Sequence, residues 1–449
     1  MDIVSKKLAA ALALTFIIGL VILEPATPTI SPVWNSLLVS QLWSFTPPVS
    51  YQGTISTPIA VDGFVYFSAN GDGPPPGTLY CLKGSTGEQV WSQTILNGYS
   101  SFTAANGYVY AGEGGAIACL SDSDGAQMWN YTYGISFGIP VVVGGTVYVD
   151  GSQINPISGF SGGFVLALNS STGTKIWGYI GAAGPSFSDN LLVAGGNIYV
   201  HTYGPSYTNS FIYAFDALTG EQLWNSSMAG QISSFAADAQ NLYVSSSGGS
   251  LYAFRGSDGS IIWHRSVGSS LGSVSVVNHY LFVGSSTGVY CFNAVNGALM
   301  WKFIASAGTD PTYANGIVYV GWSGPEFFAS STVHNLYAIE AFKGRELWSY
   351  SLAYTGETCT VEKGTVYVGA GYVTTLSPDN IGPGACLALK PIVTSLPLPS
   401  VTFWEQIQTI IIVIRIAAVT VLIIILVFLV VAGKKPKTNL QKISIAQKT

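Results

Sequence analysis

The chain has 449 residues, of which only 9% are charged, and its formal net charge is −5. Typical soluble domains carry about 25% charged residues; here Gly, Ser, Thr, Asn and Tyr supply the polarity instead. An apolar fraction of 48% argues against a disordered chain, and a weakly acidic balance without a basic stripe argues against nucleic acid as a partner.

The first segment, residues 1–23, has Lys6 and Lys7 followed by LAAALALTFIIGLVIL at 8–23. A basic start before a short apolar core predicts a signal peptide, or an N-terminal anchor if it is retained. Residues 24–32 read as a linker.

Residues 33–391 carry an internal repeat, which is the first thing to seek in a chain of this length. Eight tryptophans, Trp43, Trp91, Trp129, Trp177, Trp224, Trp263, Trp301 and Trp348, stand 48, 38, 48, 47, 39, 38 and 47 residues apart. Each interval holds the same pieces in the same order. A short strand such as IPVVV or SVSVV comes first. A run of the type GFVYFS, GYVYAG or GTVYVD follows, then a second run of the type LYCLKG, VLALNS or IYAFDA. A Gly turn then leads into the tryptophan strand.

Four short strands per unit, joined by Gly-containing hairpins, predict a four-stranded antiparallel sheet. One such sheet with two apolar faces cannot bury itself, whereas a ring of them can. Both runs occur eight times, so the expected fold class is all-β, an eight-bladed β-propeller. The last unit ends in CLALKP, residues 386–391, with no turn or tryptophan after it; SQLW, residues 40–43, has a tryptophan and no turn before it. The N-terminal strand is therefore expected to complete the last blade and remove its open edge.

Beyond the propeller, residues 392–404 form a second linker. Residues 405–433 predict a transmembrane helix, apolar throughout 409–433 apart from Thr409, Thr420 and Arg415, with Trp404 at the interface. The tail, 434–449, holds Lys434, Lys435, Lys437, Lys442 and Lys448 and no acid. By the positive-inside rule it is cytoplasmic, and the propeller is extracytoplasmic, at the cell membrane with one or two anchors. Residues 24–404 carry 20 acids and 9 bases, a net charge of −11.

The stretch FDALTGEQLW, 215–224, returns as STGEQVW, SDGAQMW, STGTKIW, SDGSIIW, VNGALMW and FKGRELW. It resembles the tryptophan-docking motif of the pyrroloquinoline-quinone-type β-propeller family. The resemblance implies that Ala217, Gly220 and Trp224 lock neighbouring blades together. The same role falls on Gly87, Trp91, Gly125, Trp129, Gly173, Trp177, Gly259, Trp263, Gly297, Trp301, Gly344 and Trp348, with Trp43 closing the ring. Family dehydrogenases stack the quinone on a disulfide between adjacent cysteines and bind calcium through acidic and amide side chains. This chain has no Cys-Cys pair. The resemblance points instead to the non-catalytic branch, which includes a bacterial outer-membrane assembly lipoprotein. No cofactor is expected, and pyrroloquinoline quinone, though the family name carries it, has no support among these residues.

Other chemical signals are sparse. Cys81, Cys119 and Cys291 fall at one repeat position where other blades have alanine, so they read as small buried side chains. Cys359 and Cys386 share the last blade, where an oxidising exterior permits a bridge, but they stand on strands that are not neighbours. His201, His264, His279 and His334 lack metal-ligand spacing. Neither a Ser-His-Asp order nor a nucleophile elbow is present, so no catalytic residue is assigned. N-glycosylation triplets begin at Asn130, Asn169 and Asn225.

Four blades carry about ten extra residues between their second and third strands, at 69–78, 151–163, 202–210 and 322–335, and the last blade has a similar loop at 370–384. Alternation along each blade puts these loops on one face and the Gly turns on the other. Their aromatics, Phe160, Tyr203, Tyr207, Trp322, Phe327, Phe328 and Tyr372, are the candidate partner-binding residues, because aromatics offer contact area at little entropic cost. The expected function is a membrane-anchored extracellular binding or scaffold module for a surface protein or glycan. The alternatives are a quinone- or sugar-dependent oxidoreductase and a structural surface-layer component.

Overall fold

The computed structural model describes residues 29–30 and, between 39 and 391, all residues except 48–54, 70–76, 95–101, 114, 135, 155–160, 182–186, 188–189, 204–208, 305–309, 322–333, 353–355 and 371–384. The segments read as signal peptide, C-terminal linker, membrane helix and basic tail lie outside them. Among the described residues no helix is long and apolar enough to cross a membrane.

The strands form eight antiparallel sheets, one per repeat. Blades 1 to 7 occupy residues 59–94, 102–132, 136–180, 192–229, 232–266, 271–304 and 312–352. Blade 8 takes Gly356–Glu362, Thr365–Ala370 and Ala385–Pro391, and its fourth strand is Val39–Phe45 from the other end of the chain. That strand pairs antiparallel with the third, Val39 opposite Pro391 and Trp43 opposite Ala388. The ring is thus closed between segments more than 340 residues apart in sequence.

Local chemistry explains the hairpins. Most blades join their first two strands through two residues with positive φ, as at Asp62 (55°) and Gly63 (86°), or Asn106 (55°) and Gly107 (81°). That is the backbone of a type I′ turn, whose twist matches the flanking strands and which Asn, Asp and Gly tolerate best. In blades 3, 4 and 6 the turn before the tryptophan is held by its first side chain, Asn169, Asp216 or Asn293. Asp216 Oδ1 accepts hydrogen bonds from the Leu218 and Thr219 N–H groups at 2.9 and 2.8 Å, and from Thr219 Oγ1 at 3.0 Å. These donors hold the Asp216 carboxyl below the usual carboxylate range. Asn169 uses its Oδ1 in the same way.

Two sheets depart from four strands. Blade 3 gains Ser136–Phe137, which pairs with the outer half of its long second strand. Blade 6 gains Thr29–Ile30, laid parallel against Lys302 and Phe303 on its outer strand. Strand periodicity did not reveal either addition, because both segments are two residues long.

Every blade also shifts register just ahead of its tryptophan, for instance between Gln127 and Trp129 and between Gln41 and Trp43. These bulges push Leu42, Met128, Ile176, Leu223 and Ile262 outward into solvent. The core lies between blades: the cluster around Tyr66, Cys81 and Trp91 meets Phe102, Val109 and Ala111 of the next blade.

Candidate functional site

The residues of the recurring turn motif come together across blade boundaries. The Trp177 indole N–H donates to the Ala217 carbonyl at 3.1 Å, and a Cβ added to Gly220 would lie 2.6 Å from Trp177 Cδ2. Gly220 has φ +73°, a conformation that suits glycine. The same arrangement joins Trp43 to Gly87, Trp91 to Gly125, Trp129 to Gly173, Trp224 to Gly259, Trp263 to Gly297, and Trp301 to Gly344. Each of these seven tryptophans therefore meets the glycine of the following blade, not of its own. Across each sheet the tryptophan stands opposite Cys81, Cys119, Ala167, Ala214, Ala253, Cys291, Ala338 or Ala388, all fully buried.

A second ring of contacts was visible in the sequence as the recurring Tyr-Val of the second strand, but its partner was not. Tyr110, Tyr148 and Tyr367 pack against Trp129, Trp177 and Trp43 with ring centroids 5.9, 6.2 and 5.9 Å apart. Their hydroxyls donate to the same carbonyls that the tryptophans use: Ser170 at 3.3 Å, Ala217 at 3.1 Å and Gly84 at 3.2 Å. A carbonyl has two lone pairs, so one oxygen serves both donors.

The five cysteines are free and buried. Cys359 faces the core between blades 7 and 8, and Cys386 faces that between blades 8 and 1. Burial pushes the thiols of Cys81, Cys119 and Cys359 up to about 12 and raises those of Cys291 and Cys386 as well. The thiolate is the reactive form. A disulfide-exchange reagent at pH 8 is therefore expected to titrate no thiol in the folded protein and five after denaturation; fast labelling of the native chain would refute the buried placement.

On the long-loop face, Phe160, Tyr207, Trp322, Phe327, Phe328 and Tyr372 lie outside the described residues. Tyr203 ends a strand and pairs with Ser210. At their described ends, two of the expected loops are ribbon. In blade 3 the second and third strands stay paired out to Ile154 and Ser161, and in blade 4 out to Tyr203 and Ser210. Packing extends the blade 3 ribbon: a Cβ on Gly151 would collide with the Ser136 carbonyl and lie 2.8 Å from the Phe164 ring, and one on Gly163 would meet Phe187. Asn130 and Asn225 are exposed on outer strands, whereas Asn169 is half-buried in its turn.

At the base of these ribbons polar side chains are buried, including Asp150 and His201. His201 packs edge-on against Phe235 at 5.3 Å, and desolvation lowers its pKa to about 4. The unfolded chain then takes up a proton near pH 6.5 while the folded state does not. Its contribution to stability is complete above pH 6.5, falls as pH drops, and is lost below about 4, a span worth about 3 kcal/mol. His201→Leu is expected to flatten stability over that window in acid titrations followed by circular dichroism; an unchanged profile would exclude His201 as its source. Asp310 runs the other way. Burial raises its carboxyl despite hydrogen bonds from Ser273, so the folded state gains stability as pH falls.

The chain can now be classed: an eight-bladed propeller of quinoprotein-type repeats. The PQQ_2 family, described as outer membrane protein assembly factor BamB, matches residues 39–265, 113–321 and 286–380, and the chain belongs to that family. No curated protein matches the sequence significantly. Among solved structures it is similar to BamB from Moraxella catarrhalis, at 15% identity and TM-score 0.52, over 78% of this chain and 97% of that one. It is also similar to quinohemoprotein alcohol dehydrogenase from Comamonas testosteroni, at 13% identity and TM-score 0.57, over 83% and 80%. The computationally designed Ika8 protein aligns at 12% identity and TM-score 0.60, over 76% and 97%. At these identities the likeness is one of fold.

The dehydrogenase likeness raises the question of a quinone. The sequence has no adjacent cysteines to carry one, and its five thiols lie apart in the cores of blades 1, 2, 6 and 8. Among the described residues no three His, Cys, Asp or Glu side chains come together as a cation site. The described residues do not fit the group.

Proposed function

We propose that this protein is a membrane-anchored, extracytoplasmic propeller that serves as a binding or scaffold module for a surface protein or glycan. One observation carries the reading. Both ends of the propeller meet at blade 8, where Val39 lies opposite Pro391, at the end of the sheet that bears the Gly turns in other blades. The long second-to-third connections leave from the opposite end. With residues 405–433 as the anchor and the lysine-rich tail in the cytoplasm, the loop face is the one that carries neither of the propeller's connecting segments, and a rigid ring presenting adjustable loops suits recognition. Membership of the assembly-factor family supports a protein partner. Asn130 and Asn225, exposed on outer strands, are the glycan acceptors in this reading.

Pull-down from native membranes with the intact ectodomain, and with the five long loops shortened, tests it. Capture that disappears on shortening supports the loop face; equal capture by both forms rejects it. Adding pyrroloquinoline quinone to the purified ectodomain tests the alternative, and a spectral shift followed by turnover would make the protein an oxidoreductase.

A further inference from the structure

Seven blade junctions share a clasp that the eighth lacks. In blades 1 to 7, the residue after the third strand faces two ways. Its carbonyl accepts the indole N–H of the preceding tryptophan, at 2.7–3.1 Å, on Gly84, Asp122, Ser170, Ala217, Gly256, Ala294 and Ala341. Its own N–H donates to the hairpin between the first and second strands, as Gly84 does to Gly63 at 2.8 Å. The register identifies the counterpart in blade 8. Gly84 stands three residues beyond Cys81, opposite Trp91, so the residue three beyond Ala388, opposite Trp43, is Pro391. Proline has no N–H to give the hairpin. Pro391 also continues the strand, paired with Val39, where other blades turn.

The consequence falls on blade 7. Trp348 and Tyr319 pack at 5.9 Å, as the equivalent pairs do elsewhere, and both are 0% exposed. Among the described residues neither Trp348 Nε1 nor the Tyr319 hydroxyl has an acceptor. In blades 2, 3 and 8 the matching two donors converge on one oxygen. Such buried donors are nearly always satisfied, and leaving them unpaired is costly.

We propose that the junction between blades 7 and 8 is a binding site for a single buried water, whose oxygen accepts hydrogen bonds from Trp348 Nε1 and the Tyr319 hydroxyl. The water takes the place of the carbonyl that Pro391 withdraws. An ordered internal water takes two to four polar partners, and these two donors supply two of them.

Tyr319→Phe separates the alternatives because it keeps the ring and removes only the hydroxyl. Tyr110→Phe, which deletes a hydroxyl bonded to Ser170, is the reference. With the water in place, both variants are expected to lower the folding equilibrium constant about fivefold. A neutral or more stable Tyr319→Phe protein would mean an unsatisfied hydroxyl and would overturn the proposal. A high-resolution crystal structure of the wild-type ectodomain supplies the second reading. Density for one water within hydrogen-bond distance of both donors supports the site. A protein oxygen there, such as a rotated Pro391 carbonyl, or no density, overturns it.

Discussion

Replacing Gly220 by alanine is expected to destabilise the propeller by about 3 kcal/mol, whereas Gly196→Ala costs about 1 kcal/mol. Both glycines have positive φ, +73° and +82°, so both substitutions bear the penalty of placing a side chain in the left-handed region. They differ in what the new methyl meets. At Gly196 nothing lies within 4 Å, whereas at Gly220 the Trp177 ring is already there, with Cδ2 at 2.6 Å. That ring packs on Tyr148 and is tied at its N–H to Ala217, so its retreat strains that hydrogen bond. Denaturant midpoints of the two variants measure the difference. Equal losses would mean that the glycine is needed for its backbone alone and that contact with the tryptophan contributes little.

The second large effect is expected at the closure. Trp43→Ala removes a side chain that donates to Gly84 at 2.9 Å, lies against Gly87 and packs on Tyr367 at 5.9 Å. Large-to-small changes of this kind cost about 3–5 kcal/mol. Trp224→Ala, in blade 4, deletes the same contacts, since Trp224 donates to Gly256 at 2.8 Å and meets Gly259. The two are expected to differ in where the structure loosens. Blade 4 is continuous in sequence, whereas the fourth strand of blade 8 is held by pairing and packing alone. Hydrogen exchange should therefore accelerate in Ala385–Pro391 for Trp43→Ala and stay slow there for Trp224→Ala. Slow exchange in both would show that backbone pairing suffices to hold the ring shut. Glu362, whose carboxylate accepts the Gly63 N–H at 3.0 Å across the same boundary, would then be the contact to remove next.

Much of this architecture can be read locally. The turn signals Asp-Gly, Asn-Gly and Thr-Gly, and the alternation of runs such as GFVYFS, are enforced within a few residues by backbone sterics and side-chain capping. The count of eight followed from repetition, and the closing strand followed from a tryptophan without a turn at one end and a turnless third strand at the other. The small residue at positions such as Cys81 was legible because other blades carry alanine there; that a tryptophan stands opposite it was not. Legibility fails where a contact crosses a blade boundary. Nothing near Gly220 says that the ring it meets is Trp177 rather than Trp224, and the recurring tyrosine gave no hint that it shares the tryptophan's acceptor. The ribbons of blades 3 and 4 were expected as loops because Gly-rich polar residues do not announce a strand; packing from Phe164 and Phe187 holds the blade 3 ribbon.

The amino-acid order by itself determined the number of blades, the four repeat strands in each and the point where the circle is cut, because repetition and turn chemistry act over short distances. Only the tertiary structure decided which glycine each tryptophan meets, how the bulges turn Leu42 and its counterparts outward, and what Pro391 withholds from Trp348. Those outcomes depend on groups brought together by ring closure, and a hydrogen bond between residues about 40 apart leaves no periodic mark on either.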